Sequence, residues 1–188
     1  MDAFTQLDFY DTEDQYSEEE RMVRDAVRSW VGDRFLPVIA EHFENGTFPS
    51  DLIPELAELG VFGPTVPEEY GGAGLNNVSY GLICQELERG DSGLRSFVSV
   101  QGSLVMFPIL AFGSEEQKRE WLPRLASAEV IGCFGLTEPD FGSNPGGMIT
   151  TARRDGDDWI IDGRKMWITN GTVSQVAIVW ARTDEGIR

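Results

Sequence analysis

The chain is short of positive charge, histidine and cysteine, and it contains no long unbroken apolar run. Lys and Arg number 15 against 32 Asp and Glu, a net charge of −17. With no basic block, nucleic acid is not an expected partner. An anionic ligand would have to be met by a locally positive or amide-rich pocket. The single histidine, His42, argues against a His-rich metal site and against a Ser/His/Asp triad. The two cysteines, Cys84 and Cys133, lie far apart and show no metal-ligand spacing. With no secretory signal, a disulfide between them is not expected. Apolar stretches such as 104–112 are too short and interrupted to cross a bilayer, so no membrane partner is expected. The dinucleotide fingerprint G-x-G-x-x-G is absent, which excludes a Rossmann phosphate loop. The first twenty residues hold eight acidic side chains and no Lys or Arg, the opposite of a signal or transit peptide. A cytoplasmic protein is the expectation, or a mitochondrial matrix protein if the source is eukaryotic.

What is present is the ordinary mix of a soluble globular chain: 188 residues, 41% hydrophobic and 25% charged, enough for one to two domains. Residues 1–16 read as an acidic arm. Ser17-Glu18-Glu19-Glu20 has the form of a capping box, and Met22, Val23, Ala26, Val27, Trp30 and Val31 recur at helical spacing. Pro37 should kink or restart that helix. A short helix over 51–59 should stop at Gly60, and a Gly- and Pro-rich loop follows to about residue 78. Helices are expected over 80–89 and 92–111. A second capping box, Ser114-Glu115-Glu116-Gln117, should open another that runs to about Ala126. Residues 17–128 thus read as an all-helical domain. The pattern changes at 129. Strands are expected over 130–136, 150–154, 159–162 and 176–181, with turns at Asp155-Gly156 and Glu185-Gly186. The fold class is α+β, a helical domain followed by an antiparallel β domain over 129–188. So few strands leave open edges, so that domain reads as incomplete.

Three segments could carry chemistry. Residues 135–147 combine Thr137, Gly142, Ser143, Gly146 and Gly147, so a backbone could approach a phosphate closely and offer its N–H groups. A Gly-rich β turn explains the same composition. Lys165-Met166-Trp167-Ile168-Thr169-Asn170 reads as a strand with Trp167 and Thr169 on one face, suited to a planar ring. A core tryptophan beside a satisfied threonine is the plain alternative. On the helix after Asp91, Arg95 and Ser99 share a face that would suit a carboxylate. A surface ion pair of Arg95 with Asp91 or Glu88 would serve equally well.

Read together, Phe134-Gly135-Leu136-Thr137-Glu138-Pro139-Asp140-Phe141-Gly142-Ser143 and Lys165-Met166-Trp167-Ile168-Thr169-Asn170 resemble the flavin-binding signature of the acyl-CoA dehydrogenase family. The order of a helical and then a β domain is similar to that family, as is Tyr70-Gly71-Gly72-Ala73-Gly74. The segment Glu86 to Gln101, and Val179-Trp180-Ala181-Arg182, most resemble glutaryl-CoA dehydrogenases. The resemblance covers about residues 17–188. It implies FAD as cofactor. Phe134, Leu136, Thr137, Trp167, Ile168 and Thr169 would lie around the flavin ring, and Gly142 and Ser143 at the pyrophosphate or the ligand. Arg95, Ser96 and Ser99, with Ser143, would meet the substrate, the first three holding its distal carboxylate. It further implies oxidative decarboxylation of glutaryl-CoA to crotonyl-CoA, an electron-transfer flavoprotein as acceptor, and a homotetramer. The family's catalytic base is a Glu in a C-terminal helical domain, expected beyond Arg188, so no catalytic residue is assigned within the chain and it is expected to be inactive alone. Alternatives are an acyl-CoA dehydrogenase or oxidase of other acyl specificity, and an inert truncated module. Two positions depart from the family pattern: Phe141 stands where a small residue is usual, and Asn144 where Asp is usual.

Overall fold

The computed structural model describes residues 12–188. Most of the acidic arm therefore lies outside the described residues; Thr12–Gln15 forms a short 3-10 turn.

The helix α1 (Glu18–Trp30) begins as its sequence dictates. Ser17 Oγ accepts from the Glu20 N–H, and the Glu20 carboxylate accepts from the Ser17 N–H, two orphan donors satisfied reciprocally. The helix does not stop at Pro37. It passes through a π-helical turn, Val31–Phe35, into α2 (Leu36–Asn45), with the Leu36 N–H donating to Val31 O. Proline lacks an N–H and its ring crowds the carbonyl four residues back. Widening the turn just before it resolves both problems. Gly46, at φ +63°, ends the run.

After α3 (Ile53–Glu58), the Gly- and Pro-rich loop closes on itself through Ala73 N–H to Gly63 O, Gly74 N–H to Val66 O and Leu75 N–H to Pro64 O. A Cβ on Gly72 would fall 2.0 Å from Val66 O, so that crossing admits only glycine. Asn76 caps α4 (Asn77–Gly90), which therefore starts three residues before the expected Tyr80. Asp91 caps α5 (Ser92–Ser99) by accepting from the Gly93 and Leu94 N–H groups.

The same device then appears a second time. Helix α5 widens into a π-helical stretch, Val100–Met106, ahead of Pro108 in α6 (Phe107–Phe112), with the Phe107 N–H donating to Gly102 O. The continuous helix Ser92–Phe112 is 21 residues long and holds an 18-residue window of mean hydropathy 1.4, long and apolar enough on those two measures to cross a membrane. The expected helix over 92–111 is thus present as one run through Gly102 and Pro108; what the sequence does not show is the widened turn within it, and the apolar stretch 104–112 considered there as a membrane span is only part of it. In the structure this helix divides the core. Leu94, Phe97 and Val98 face one buried cluster with Val27, Val31, Phe35 and Leu87. Val100, Val105, Met106 and Ile109 face another with Leu122, Leu125 and Val130. Helix α7 (Glu115–Ala126) opens on the second capping box as expected.

The β part follows, so the expected order of helical then β structure holds. Strand β1 (Gly132–Gly135) pairs in parallel with β4 (Val176–Val179), Gly132 opposite Val176. The hairpin β2 (Thr151–Asp155) and β3 (Asp158–Asp162) is antiparallel, turning on Gly156 at φ +66° and Asp157. Strand β5 (Arg182–Thr183) meets β2 in parallel and β6 (Gly186–Ile187) antiparallel, turning at Asp184-Glu185, one residue before the expected position. The β1–β4 pair is therefore parallel and the four-stranded sheet β3-β2-β5-β6 mixed, where a purely antiparallel set was expected. The long excursion between β1 and β4, which contains the hairpin, allows their parallel pairing.

Candidate functional site

The two signature segments meet in space. The Met166 N–H donates to Thr137 O at 2.9 Å, and Lys165 Nζ donates to Leu136 O at 3.1 Å. Lys165 Nζ also reaches the Glu138 carboxylate at 2.9 Å. That carboxylate is 2% exposed and accepts from the Ile149 N–H at 2.7 Å and the Thr150 N–H at 3.0 Å. Burial pushes the Glu138 carboxyl upward. The backbone donors at Ile149 and Thr150, together with Lys165, outweigh burial and hold it down at about 2. Glu138 is thus a fixed anion that closes the base of the 139–148 loop and ties it to residue 165. Sequence reasoning quoted both residues within motifs and assigned neither a role. An acid and a base, each inside a separate Gly-flanked motif, was the signal available.

The Gly-rich loop stands clear of the core. Gly142, Ser143 and Asn144 are exposed. Phe141 and Glu138 exchange backbone hydrogen bonds in a tight turn. The Phe141 ring lies over Gly147, where a Cβ would come within 2.5 Å of it, so a glycine on the far side of the loop accommodates the bulky residue. Asn144 turns the chain by accepting the Gly147 N–H on its backbone carbonyl. The Arg182 guanidinium donates to Gly146 O at 3.0 Å and Met148 O at 3.2 Å, clamping the returning arm of the loop.

Residues 165–170 are not a strand, contrary to the sequence reading. Trp167 adopts φ +59° and Asn170 φ +66°, and no strand can contain such residues. The alternative of a core tryptophan fails as well: the Trp167 side chain is 82% exposed. Thr169 is exposed and Ile168 half-buried. Phe134, Leu136 and Thr137 are half-buried at the end of β1, with the Phe134 ring edge-on to Trp180, centroids 6.2 Å apart. The Trp180 indole N–H is buried and has no hydrogen-bond partner among the described residues. The residues assigned around a ring thus come together at one place: the end of β1 and the bend that carries Trp167.

The third segment forms a polar seam between α4 and the Ser92–Phe112 helix. Arg95 Nε donates to Glu88 at 2.7 Å and Nη1 to Ser99 Oγ at 3.3 Å. Of the two ion pairs open to sequence reasoning, Glu88 is the one formed, because the Asp91 carboxylate is spent on capping α5. Glu88 holds the Arg95 guanidinium even more firmly protonated, and the Ser92 hydroxyl and then Arg95 hold the Glu88 carboxyl below its usual value. Two turns back along α4 from Glu88 and one turn on from Ser99, Tyr80 OH meets Ser103 Oγ, and burial pushes the neighbouring Cys84 thiol up. Ser96 and Ser99 are half-buried beside Arg95. The seam carries one firmly charged cation with guanidinium donors to spare and the Ser99 hydroxyl bonded to it, a chemistry that fits a carboxylate.

Comparison with known proteins agrees with this architecture. Residues 17–129 match the acyl-CoA dehydrogenase N-terminal domain and residues 133–188 match the acyl-CoA dehydrogenase middle domain. A glutaryl-CoA dehydrogenase from Mycobacterium smegmatis, crystallised in complex with FADH2, is 60% identical with a TM-score of 0.93, over 97% of this chain and 47% of that one. A glutaryl-coenzyme A dehydrogenase in a glutaryl-CoA complex is 35% identical with a TM-score of 0.88, over 96% of this chain and 47% of that one. The mitochondrial short-chain specific acyl-CoA dehydrogenase of Bos taurus is 38% identical over 170 residues, 90% of this chain and 41% of that protein. The chain belongs to the acyl-CoA dehydrogenase family. It spans less than half the length of these relatives.

Proposed function

We propose that the chain supplies the flavin cradle and the acyl-recognition helix of an FAD-dependent glutaryl-CoA dehydrogenase. The observation that carries this reading is the meeting of the two signature segments at an exposed indole, beside a helix that presents Arg95. The residues fit FAD: Trp167 offers an uncovered aromatic face, Thr137 and Thr169 offer hydroxyls next to it, and the exposed Gly142–Ser143 backbone can approach a phosphate. FAD, when bound, supplies a two-electron acceptor.

The chain's own residues orient and hold. Phe134, Leu136, Thr137, Trp167, Ile168 and Thr169 would lie around the flavin ring. Gly142 and Ser143 would meet the pyrophosphate or the substrate. Arg95, with Ser96 and Ser99, would hold the distal carboxylate of glutaryl-CoA. Glu138 does not serve as a base, because its carboxylate already accepts from Lys165 and two backbone N–H groups. In a protein of the relatives' length, the proton at the α-carbon would go to a Glu of a C-terminal helical domain, beyond Arg188. Loss of CO2 to give crotonyl-CoA, an electron-transfer flavoprotein as acceptor and a homotetramer complete the proposal. The similarity to a glutaryl-CoA dehydrogenase at 60% identity supports this substrate. The similarity to a short-chain enzyme at 38% supports a monocarboxylic acyl-CoA as the second reading.

The test separates the two. In a protein of the relatives' length carrying these residues, Arg95→Gln is expected to raise the KM for glutaryl-CoA by roughly 10- to 100-fold, the cost of one charged hydrogen-bonded contact. Its use of butyryl-CoA should change little. Equal effects on both substrates would remove glutaryl-CoA and favour the short-chain reading.

A further inference from the structure

Asn170 joins three segments at a single side chain. Its backbone closes the bend that carries Trp167 and Thr169, at φ +66°, a conformation asparagine tolerates better than most residues. Its Nδ2 donates to Phe97 O at 3.3 Å, in the last turn of α5, and to Gly132 O at 3.2 Å, the first residue of β1. An amide NH2 has two donors, and here two carbonyls from different elements receive them. The same end of β1 is fixed from two other sides. The buried Gln101 accepts the Gly132 N–H at 2.8 Å while donating to Leu125 O and Val130 O, and Gln175 accepts the Ile131 N–H at 2.8 Å. Neither glutamine side chain hydrogen-bonds to residues 165–171. The Met166 N–H holds the near side of that bend to Thr137 O, and Asn170 ties its far side to α5 and to the start of β1.

We propose that Asn170 is a positioning residue. Its amide sets the spacing between the Trp167 bend and the helix that carries Arg95 and Ser99, so that a ring covered by the indole and a carboxylate held by the guanidinium share one rigid frame. Positioning of this kind matters because reacting groups must be held to about 0.5 Å. The inference rests on the flavin and acyl reading above, and its test is built so that the two fail separately.

Two variants of the chain remove the amide donors: Asn170→Gly, which keeps the left-handed backbone accessible, and Asn170→Asp, which keeps the size. Amide hydrogen exchange is followed without ligand, and FAD affinity is followed by quenching of flavin fluorescence. Both variants are expected to speed exchange about tenfold, in the 168–171 bend and also at the 97–99 end of α5 and at Gly132, in line with loss of two neutral hydrogen bonds. FAD affinity should fall about tenfold, with Trp167→Ala as the reference for loss of the ring contact. Faster exchange confined to 168–171 overturns the inference. So does wild-type FAD affinity in Asn170→Gly when Trp167→Ala has lost it. If the wild-type chain takes up no FAD, or Trp167→Ala binds it equally well, the flavin reading fails instead, and the exchange pattern alone decides whether Asn170 links the segments.

Discussion

Trp167 is placed against its own stability. A non-glycine residue in the left-handed region costs roughly 1–2 kcal/mol, and an exposed indole recovers little of this by burial. Glycine relieves that strain. Trp167→Gly is therefore expected to raise the urea midpoint slightly, by up to about 1 kcal/mol of stability, while FAD affinity falls sharply. A variant that lost stability would mean the indole is packed after all. Strain that persists at an exposed aromatic is the pattern of a residue kept for what it touches. Glu138 is the opposite case, a buried group that is fully satisfied. Its folded-state value of about 2 lies below its ordinary 4.5. A depressed carboxylate contributes stability above its unfolded value and loses it as the pH falls through the folded one. In the wild type this contribution should disappear progressively between pH 4.5 and about 2. Glu138→Gln should be less stable at neutral pH and show a shallower acid slope across that window, checked by urea midpoints at several pH values.

At the scale of elements, the chain uses one solution twice. Pro37 and Pro108 each sit near the start of an α-helical run that follows a π-helical turn, so a residue that normally breaks a helix instead sets a bulge within a longer one. The second bulge lies in the Ser92–Phe112 helix, between the Arg95 turn and α6. It holds Gln101, fully buried, whose amide serves three backbone groups. Gln101→Leu keeps the volume but strands buried backbone groups at the entry to β1, at about 1–3 kcal/mol each. A loss of about 3 kcal/mol in denaturant unfolding is expected. A loss below 1 kcal/mol would show that water or a shifted backbone replaces the amide. Helix starts were legible in the sequence because capping boxes at Ser17 and Ser114 are local hydrogen-bond arrangements. The π turns were not legible, because nothing local distinguishes a proline that ends a helix from one whose preceding turn widens.

Across the whole molecule, charge and core pull in different directions. The chain has 32 acidic against 15 basic side chains, and most acidic side chains among the described residues are exposed, while two apolar clusters share the Ser92–Phe112 helix as their common wall. Self-repulsion among the carboxylates should be screened by salt. The thermal midpoint is expected to rise between 10 mM and 500 mM NaCl, and an unchanged or lower midpoint would show that the ion pairs offset the repulsion. Short-range patterns alone determined the helical half, its two capping boxes, the Gly156 hairpin and the family resemblance, because each depends on residues within a turn or a pair of strands. Only the tertiary structure decided that residues 165–170 bend rather than extend, that Arg95 pairs with Glu88 rather than Asp91, and that β1 takes β4 as a parallel partner. The contacts behind them, Asn170 to Phe97 and Gly132, Lys165 to Glu138, and Asp91 to its own helix start, depend on which groups remain free once the helices are capped and the strands paired.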